Sequence, residues 1–168
     1  IYTKHRIVEN LIRYFSQKKI PINVKKRVNV LGEVDVVKLI NILRYIQGET
    51  VRPYGNEDIL FEILHYDFFA ISALDIAAIS IYCKRKSTDN EDAYLKWRDV
   101  LKDKTLLQEA GVKDAETIIQ VANTIETWIS DIFNVTIQTL IEKVLTDGNI
   151  LNTVLYSPDK AWRLQLLN

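Results

Sequence analysis

The sequence predicts a mainly α fold, multi-helical from about residue 54 onward and preceded by a small α/β fragment. Three observations predict it. Apolar residues recur at helical spacing through most of the chain after residue 56. A cluster of chain breakers, "GETVRPYGN", collects Gly48, Pro53, Gly55 and Asn56 just ahead of that region and reads as a linker. Before the cluster, Ile22 and Val24 alternate with polar neighbours as a short strand would. The expected division is 1–50, a strand, helix, strand and helix fragment, and 51–168, an all-helical domain.

Taken in order, Ile7, Leu11, Tyr14 and Phe15 share one helical face over residues 7–16, and Pro21 closes that region. Gly32 marks a turn. Val36, Val37, Ile40, Leu43 and Ile46 then form an apolar stripe opposite Asp35, Lys38 and Asn41. Beyond the linker, Ile59, Leu60, Ile63 and Leu64 place a helix over 57–66. Ser72 with Asp75 three residues on has the capping-box spacing for a helix reaching about Tyr82. "KRKSTDNED" is expected as a solvated loop, and a short helix over 93–101 carries Trp97. A long helix is expected over 115–132, and Thr136 caps the next, which ends at Gly148. The last elements are 150–156 and, after Ser157 and Pro158 as cap and first turn, 159–167.

Hydrophobic residues make up 48% of the 168 and charged residues 26%, the balance of a chain that buries its own core. Lys plus Arg and Asp plus Glu are each 22, so any pull on phosphate must come from local patches. The single Cys83 excludes an intramolecular disulfide and fits a reducing compartment. No apolar run approaches a membrane span; the best, Phe68 to Cys83, is broken by Ser72, Asp75 and Ser80. With a strand that lacks partners and no Met anywhere, the chain is expected to be part of a longer protein.

Catalytic patterns are missing. His5 and His65 lie far apart, neither has a second ligand at metal spacing, and His65 is expected to pack or cap a helix end. The scattered glycines form no phosphate-cradling loop, and there is no nucleophile elbow. What remains are two basic clusters. Lys25, Lys26 and Arg27 fall on a strand-to-helix loop, whereas Lys84, Arg85 and Lys86 follow a helix end, where the macrodipole favours cations. Either cluster could touch DNA phosphates.

The order of pieces in the first 46 residues resembles the motif IV region of superfamily I DNA helicases of the UvrD/Rep/PcrA type. The matching items are Tyr2, "LIRYFSQKKIP" from Leu11 to Pro21, and "INVKKRVNVLGEVDVVKLINILRYI" with Leu43-Arg44. The rest is similar to the all-helical 2B insertion of that family, through "NEDILFEILHYDFFAISALDIAAIS" and "IETWISDIFNVTIQTLIEKVLTDGNILNTVL". The "DFF" is closer to subunits of helicase–nuclease recombination complexes, some of which keep the helicase shape without its activity.

The resemblance implies that residues 1–50 are a corner of a RecA-like domain and 51–168 a 2B-like lobe. It implies a regulatory, duplex-contacting part of an ATP-dependent DNA helicase or helicase–nuclease in DNA repair or recombination, swivelling near Gly48 to Asn56. Its implied partners are duplex or junction DNA, the remaining helicase domains of the same chain and, in some complexes, a nuclease subunit. The implied location is the bacterial cytoplasm, at the nucleoid. ATP and magnesium would belong to the parent protein, because the nucleotide-binding motifs do not occur in these residues. Thr3 stands where the family has the Arg that holds nucleotide phosphates, which leaves Lys4 or Arg6 to serve only with a shift of register. The family's Gly-Ile-Gly loop, whose backbone approaches duplex phosphates, reads Ala70-Ile71-Ser72, so both glycines are replaced. Ile71 and Ser72 are nonetheless the implied contacts, with Ser72 as a helix N-cap. The alternative is a protein-interaction scaffold from an inactivated helicase-like subunit, which calls for an exposed apolar patch around Tyr66, Phe68 and Phe69.

Overall fold

The computed structural model describes residues 11, 13–15, 17, 18, 20, 29–89 and 95–167. The chain divides into two compact units, Ile1–Val30 and Leu31–Asn168. In the first, the described residues between 11 and 17 are helical, and Ile20 N–H donates to Phe15 O at 3.0 Å to close the turn. The strand expected at Ile22 and Val24 lies outside the described residues. Among the described residues there is no strand, and the protein is mainly α.

The second unit runs α1 (Val34–Val51), α2 (Glu57–Leu64), a 3-10 turn (Asp67–Phe69), α3 (Ala73–Asp89), α4 (Trp97–Val100), α5 (Lys104–Glu109), α6 (Ala115–Asp131), α7 (Ile137–Asp147), α8 (Ile150–Leu155) and α9 (Lys160–Leu167). Short connections make sequence neighbours into packing neighbours, as α5 with α6, α6 with α7, and α7 with α8. α1 closes the unit by packing on α2, α6 and α9.

Helix α6 shows why the pattern folds this way. Ile118, Val121, Ala122, Ile125 and Trp128 fall at 3.6-residue spacing and are all buried. Asp114 starts the helix by accepting from Thr117 N–H at 3.0 Å, and Thr136 starts α7 by accepting from Thr139 N–H at 3.2 Å. Gly148 follows α7 because a Cβ there would meet Val144 O at 2.5 Å and the Trp128 ring at 3.2 Å.

Three expectations are corrected. Helix α3 does not stop near Tyr82 but continues to Asp89, so Lys84, Arg85 and Lys86 lie within it. Lys and Arg are good helix formers, Lys86 pairs with Glu109 of α5 at 3.8 Å, and both Arg85 and Lys86 sit over the Tyr82 ring. Ser157 does not cap α9. Its hydroxyl donates back to Val154 O at 2.8 Å, and Asp159 takes the cap position by accepting from Arg163 N–H. The capping box at the start of α3 is half made. Ser72 Oγ accepts from Leu74 N–H at 3.3 Å, but the buried Asp75 carboxylate accepts from Lys113 N–H instead.

In place of an open linker at Gly48 to Asn56, the structure has a fastened turn. The Glu49 carboxylate, 3% exposed, accepts from Tyr54 N–H at 2.7 Å, from Asn56 N–H and from the Asn56 side-chain amide. Tyr54 adopts positive φ there, and Gly48 leaves room for Asn56, which would stand 2.6 Å from a Cβ.

Candidate functional site

Besides a larger groove of about 750 Å³ lined by Ile137, Ile141, Leu145, Leu151, Leu164 and Leu167, a smaller open depression with polar walls lies where the Asp67–Phe69 turn meets α6 and the α7–α8 corner. It encloses about 250 Å³ between Phe68, Phe69 and Ala70 on one side and Thr117, Gln120, Val121 and Thr124 on another. Asp147, Gly148 and Asn149 complete it. The spacing of Thr117, Gln120 and Thr124 is i, i+3 and i+7, which puts them on one strip of α6. Asn149 at φ 61° turns the chain from α7 into α8, and its amide reaches Phe68 O at 3.5 Å. That contact ties the two rims of the cleft together.

Ala70 forms one lip. It occupies the left-handed region, φ 54° and ψ 23°, where a Cβ is unfavourable. Ile71 is half-buried and Ser72 exposed, and from Ser72 the chain enters α3. The loop Ala70-Ile71-Ser72 therefore does run into a helix N-terminus, as expected, and its first residue has the backbone conformation a glycine would take.

The other predicted site residues are not brought to this place. Lys84, Arg85 and Lys86 are exposed, but Lys84 is twelve positions beyond Ser72 on the same helix, roughly 18 Å away along its axis. Burial first, and then the Glu109 carboxylate that accepts its hydroxyl proton at 2.7 Å, push the Tyr82 phenol beneath them up to about 12. Lys4, Arg6, Lys25, Lys26 and Arg27 lie outside the described residues. His65 ends α2 with Nδ1 2.8 Å from Phe61 O, the packing and capping role expected of it.

The aromatic patch expected of a scaffold protein is not on the surface. Tyr66, Phe68 and Phe69 are 8%, 6% and 6% exposed and stack on one another, with ring centroids 5.5 and 4.7 Å apart. Their burial removes the main support for that alternative.

The strongest charge cluster serves the fold. Arg98 donates to Glu49 at 2.9 Å and to both oxygens of Glu126 at 2.5 and 2.6 Å, joining α1, α4 and α6. Burial, the largest single influence, raises the Glu126 carboxyl, but the Arg98 hydrogen bonds and charge together with Lys102 outweigh it and hold the group below the usual range. Every charge here has a partner, and the void beside it is about 10 Å³, too small for a substrate. No group of three or more metal-ligating side chains occurs among the described residues, and no described helix is long and apolar enough to cross a membrane.

Sequence reasoning missed Gln120, Asp147 and Asn149, which line the cleft. The only sequence signal was Gly148-Asn149, a pair suited to a sharp helix-to-helix corner. Compared with known proteins, the chain matches no family model, no curated protein and no solved structure.

Proposed function

We propose that the helical unit is a DNA-contacting, regulatory lobe of an ATP-dependent DNA helicase or helicase–nuclease acting in repair or recombination. In this reading ATP and magnesium act elsewhere in the parent protein, and the lobe itself carries no chemistry. Its partners are duplex or junction DNA and the motor domains of the same chain, at the bacterial nucleoid.

The observation that carries the reading is the conformation of Ala70. The sequence resembles a family whose loop has glycine at this position, and here an alanine holds the left-handed backbone such a glycine would provide. A loop so shaped leads into the Ser72-capped start of α3, and a helix N-terminus favours an anion such as a phosphate. The cations Lys84 and Arg85, further along the same helix, supply a second point of contact with a phosphate backbone.

The test is binding to a duplex with a single-stranded tail across a salt series. The expected result is an affinity that falls linearly with salt on logarithmic axes, with Lys84→Ala and Arg85→Ala each lowering the slope by about 1. Affinity no better than that of a neutral control protein at every salt would reject the reading.

A further inference from the structure

We infer that α9 is a strap: the Arg163–Asp35 pair holds it off α7, and breaking that pair lets it close over the groove between them. The inference concerns the helical unit alone and does not depend on what that unit binds.

No residue of α9 is buried, although the helix carries Trp162, Leu164 and Leu167. Leu164 and Leu167, at i and i+3, share one strip of the helix and form one wall of the groove of about 750 Å³. The lining is completed by Ile137, Ile141 and Leu145 of α7 and Leu151 of α8. Ile137 is 65% exposed, and Ile141, Leu151, Leu164 and Leu167 are only half-buried. Aliphatic side chains on both walls thus stay open to water. Their mutual burial is favourable, and packed interiors do not leave such space between them. A specific contact must keep the walls apart.

Arg163 makes that contact. Its guanidinium donates to both oxygens of Asp35, at 2.5 and 2.6 Å. Asp35 stands in the first turn of α1, its side chain 10% exposed. No α1 residue lines the groove, so the pair draws α9 toward a side of the unit other than α7. The forked contact fixes direction as well as distance, because two parallel N–H bonds must meet one carboxylate. Among the described residues, Arg163 is the one residue of α9 whose side chain forms a hydrogen bond or ion pair. The helix otherwise rests on α8 and α1, joined to α8 through residues 156–159. A few connecting residues of this kind suffice as a hinge.

Two arrangements follow. With the pair made, the unit presents an aliphatic groove. With it broken, Leu164 and Leu167 fill the groove and the guanidinium returns to water. Ionic strength is the lever, because salt screens a partly exposed ion pair.

The experiment measures methyl–methyl nuclear Overhauser effects in the 168-residue protein, between Leu164 or Leu167 and Ile141 or Leu145. Arg163→Gln should strengthen them severalfold with the helical circular dichroism unchanged. Arg163→Lys, which keeps the charge, should stay near the parent at low salt. In the unaltered protein, about 1 M sodium chloride, where the screening length is about 3 Å, should produce the same strengthening. The same salt should add nothing in Arg163→Gln. Cross-peaks unchanged by both the substitution and the salt overturn the strap. Weaker cross-peaks show α9 detaching instead of closing and overturn it too. Equal strengthening by salt with and without Arg163 means that salt acts on the apolar walls, which removes the role given to the pair. Should Arg163→Gln lose its helical signal, the salt series on the unaltered protein and on Arg163→Lys decides.

Discussion

Arg98 on α4 and Glu49 on α1, 49 positions apart in sequence, meet at 2.9 Å beneath the Arg52 to Asn56 turn. The same carboxylate receives the backbone of Tyr54 and Asn56, so one side chain fixes both the turn and the helix packed over it. A stretch rich in Gly, Pro and Asn is thereby made rigid. Any swivelling of the helical unit would have to break this cluster if it occurred at Gly48 to Asn56.

Arg98→Met should destabilise the protein by about 3 kcal/mol, because it leaves Glu49 and Glu126 close together without their shared cation. Arg98→Lys should recover part of the loss, since an ammonium cannot reproduce the forked contact with both Glu126 oxygens. Urea unfolding midpoints at neutral pH measure both. A loss under about 1 kcal/mol for Arg98→Met would show that the cluster does not hold α1 to α4.

The Cys83 thiol gives a pH signature. Burial, followed by the nearby Glu57 carboxylate, pushes it up to about 11. An unfolded thiol titrates near 8.5. The folded value is the higher one, so the folded state holds its proton more tightly. The associated stability is complete below about pH 8.5 and is lost as pH rises toward about 11. Cys83→Ala should flatten the stability profile across that window. The native thiol should also resist disulfide reagents at pH 8 until the chain is unfolded.

Ala70→Gly should stabilise the protein by about 0.5–1 kcal/mol. The left-handed backbone costs alanine roughly 1–2 kcal/mol, and glycine's greater freedom in the unfolded chain returns part of the gain. Ala70→Val should destabilise it. Thermal midpoints of the two variants moving in the same direction would contradict the φ of 54° on which this rests.

How much of this was legible in the sequence depended on whether a residue's partner was local. The α6 stripe and the caps at Thr136 and Gly148 could be read directly, because helical spacing and capping act within one or two turns. Helix α3 was cut short because "KRKST" has the composition of a loop. Its continuation leans on Glu109 of α5, which meets both Tyr82 and Lys86, contacts no local window contains. Glu49, Arg98 and Glu126 read as surface charges until the fold gathered them. The site was half visible. The pattern marked Ala70-Ile71-Ser72 as a loop leading into a helix, but nothing about alanine announces a left-handed residue. The opposite wall arrives from residues 117 to 149, far along the chain.

Asp147 and Gly148 allow charge and packing at the α7–α8 corner to be separated. Its carboxylate sits at the C-terminal end of α7, facing the negative pole of the helix, and no described residue offers it a cation. Lys143, one turn earlier, is drawn away to Asp131 at 2.5 Å. Removing the charge should therefore stabilise the fold, and Asp147→Asn should gain about 0.3–1 kcal/mol. Thermal midpoints of the two proteins measure the gain, and an Asp147→Asn variant less stable than the parent would contradict it. Gly148→Ala provides the contrast. Its Cβ would meet Val144 O at 2.5 Å and press on Trp128, so overpacking should cost about 1–3 kcal/mol. A corner that tightens on losing the Asp147 charge yet fails on gaining one methyl at Gly148 is held by packing against Val144 and Trp128, with the carboxylate working against the helix end that carries it.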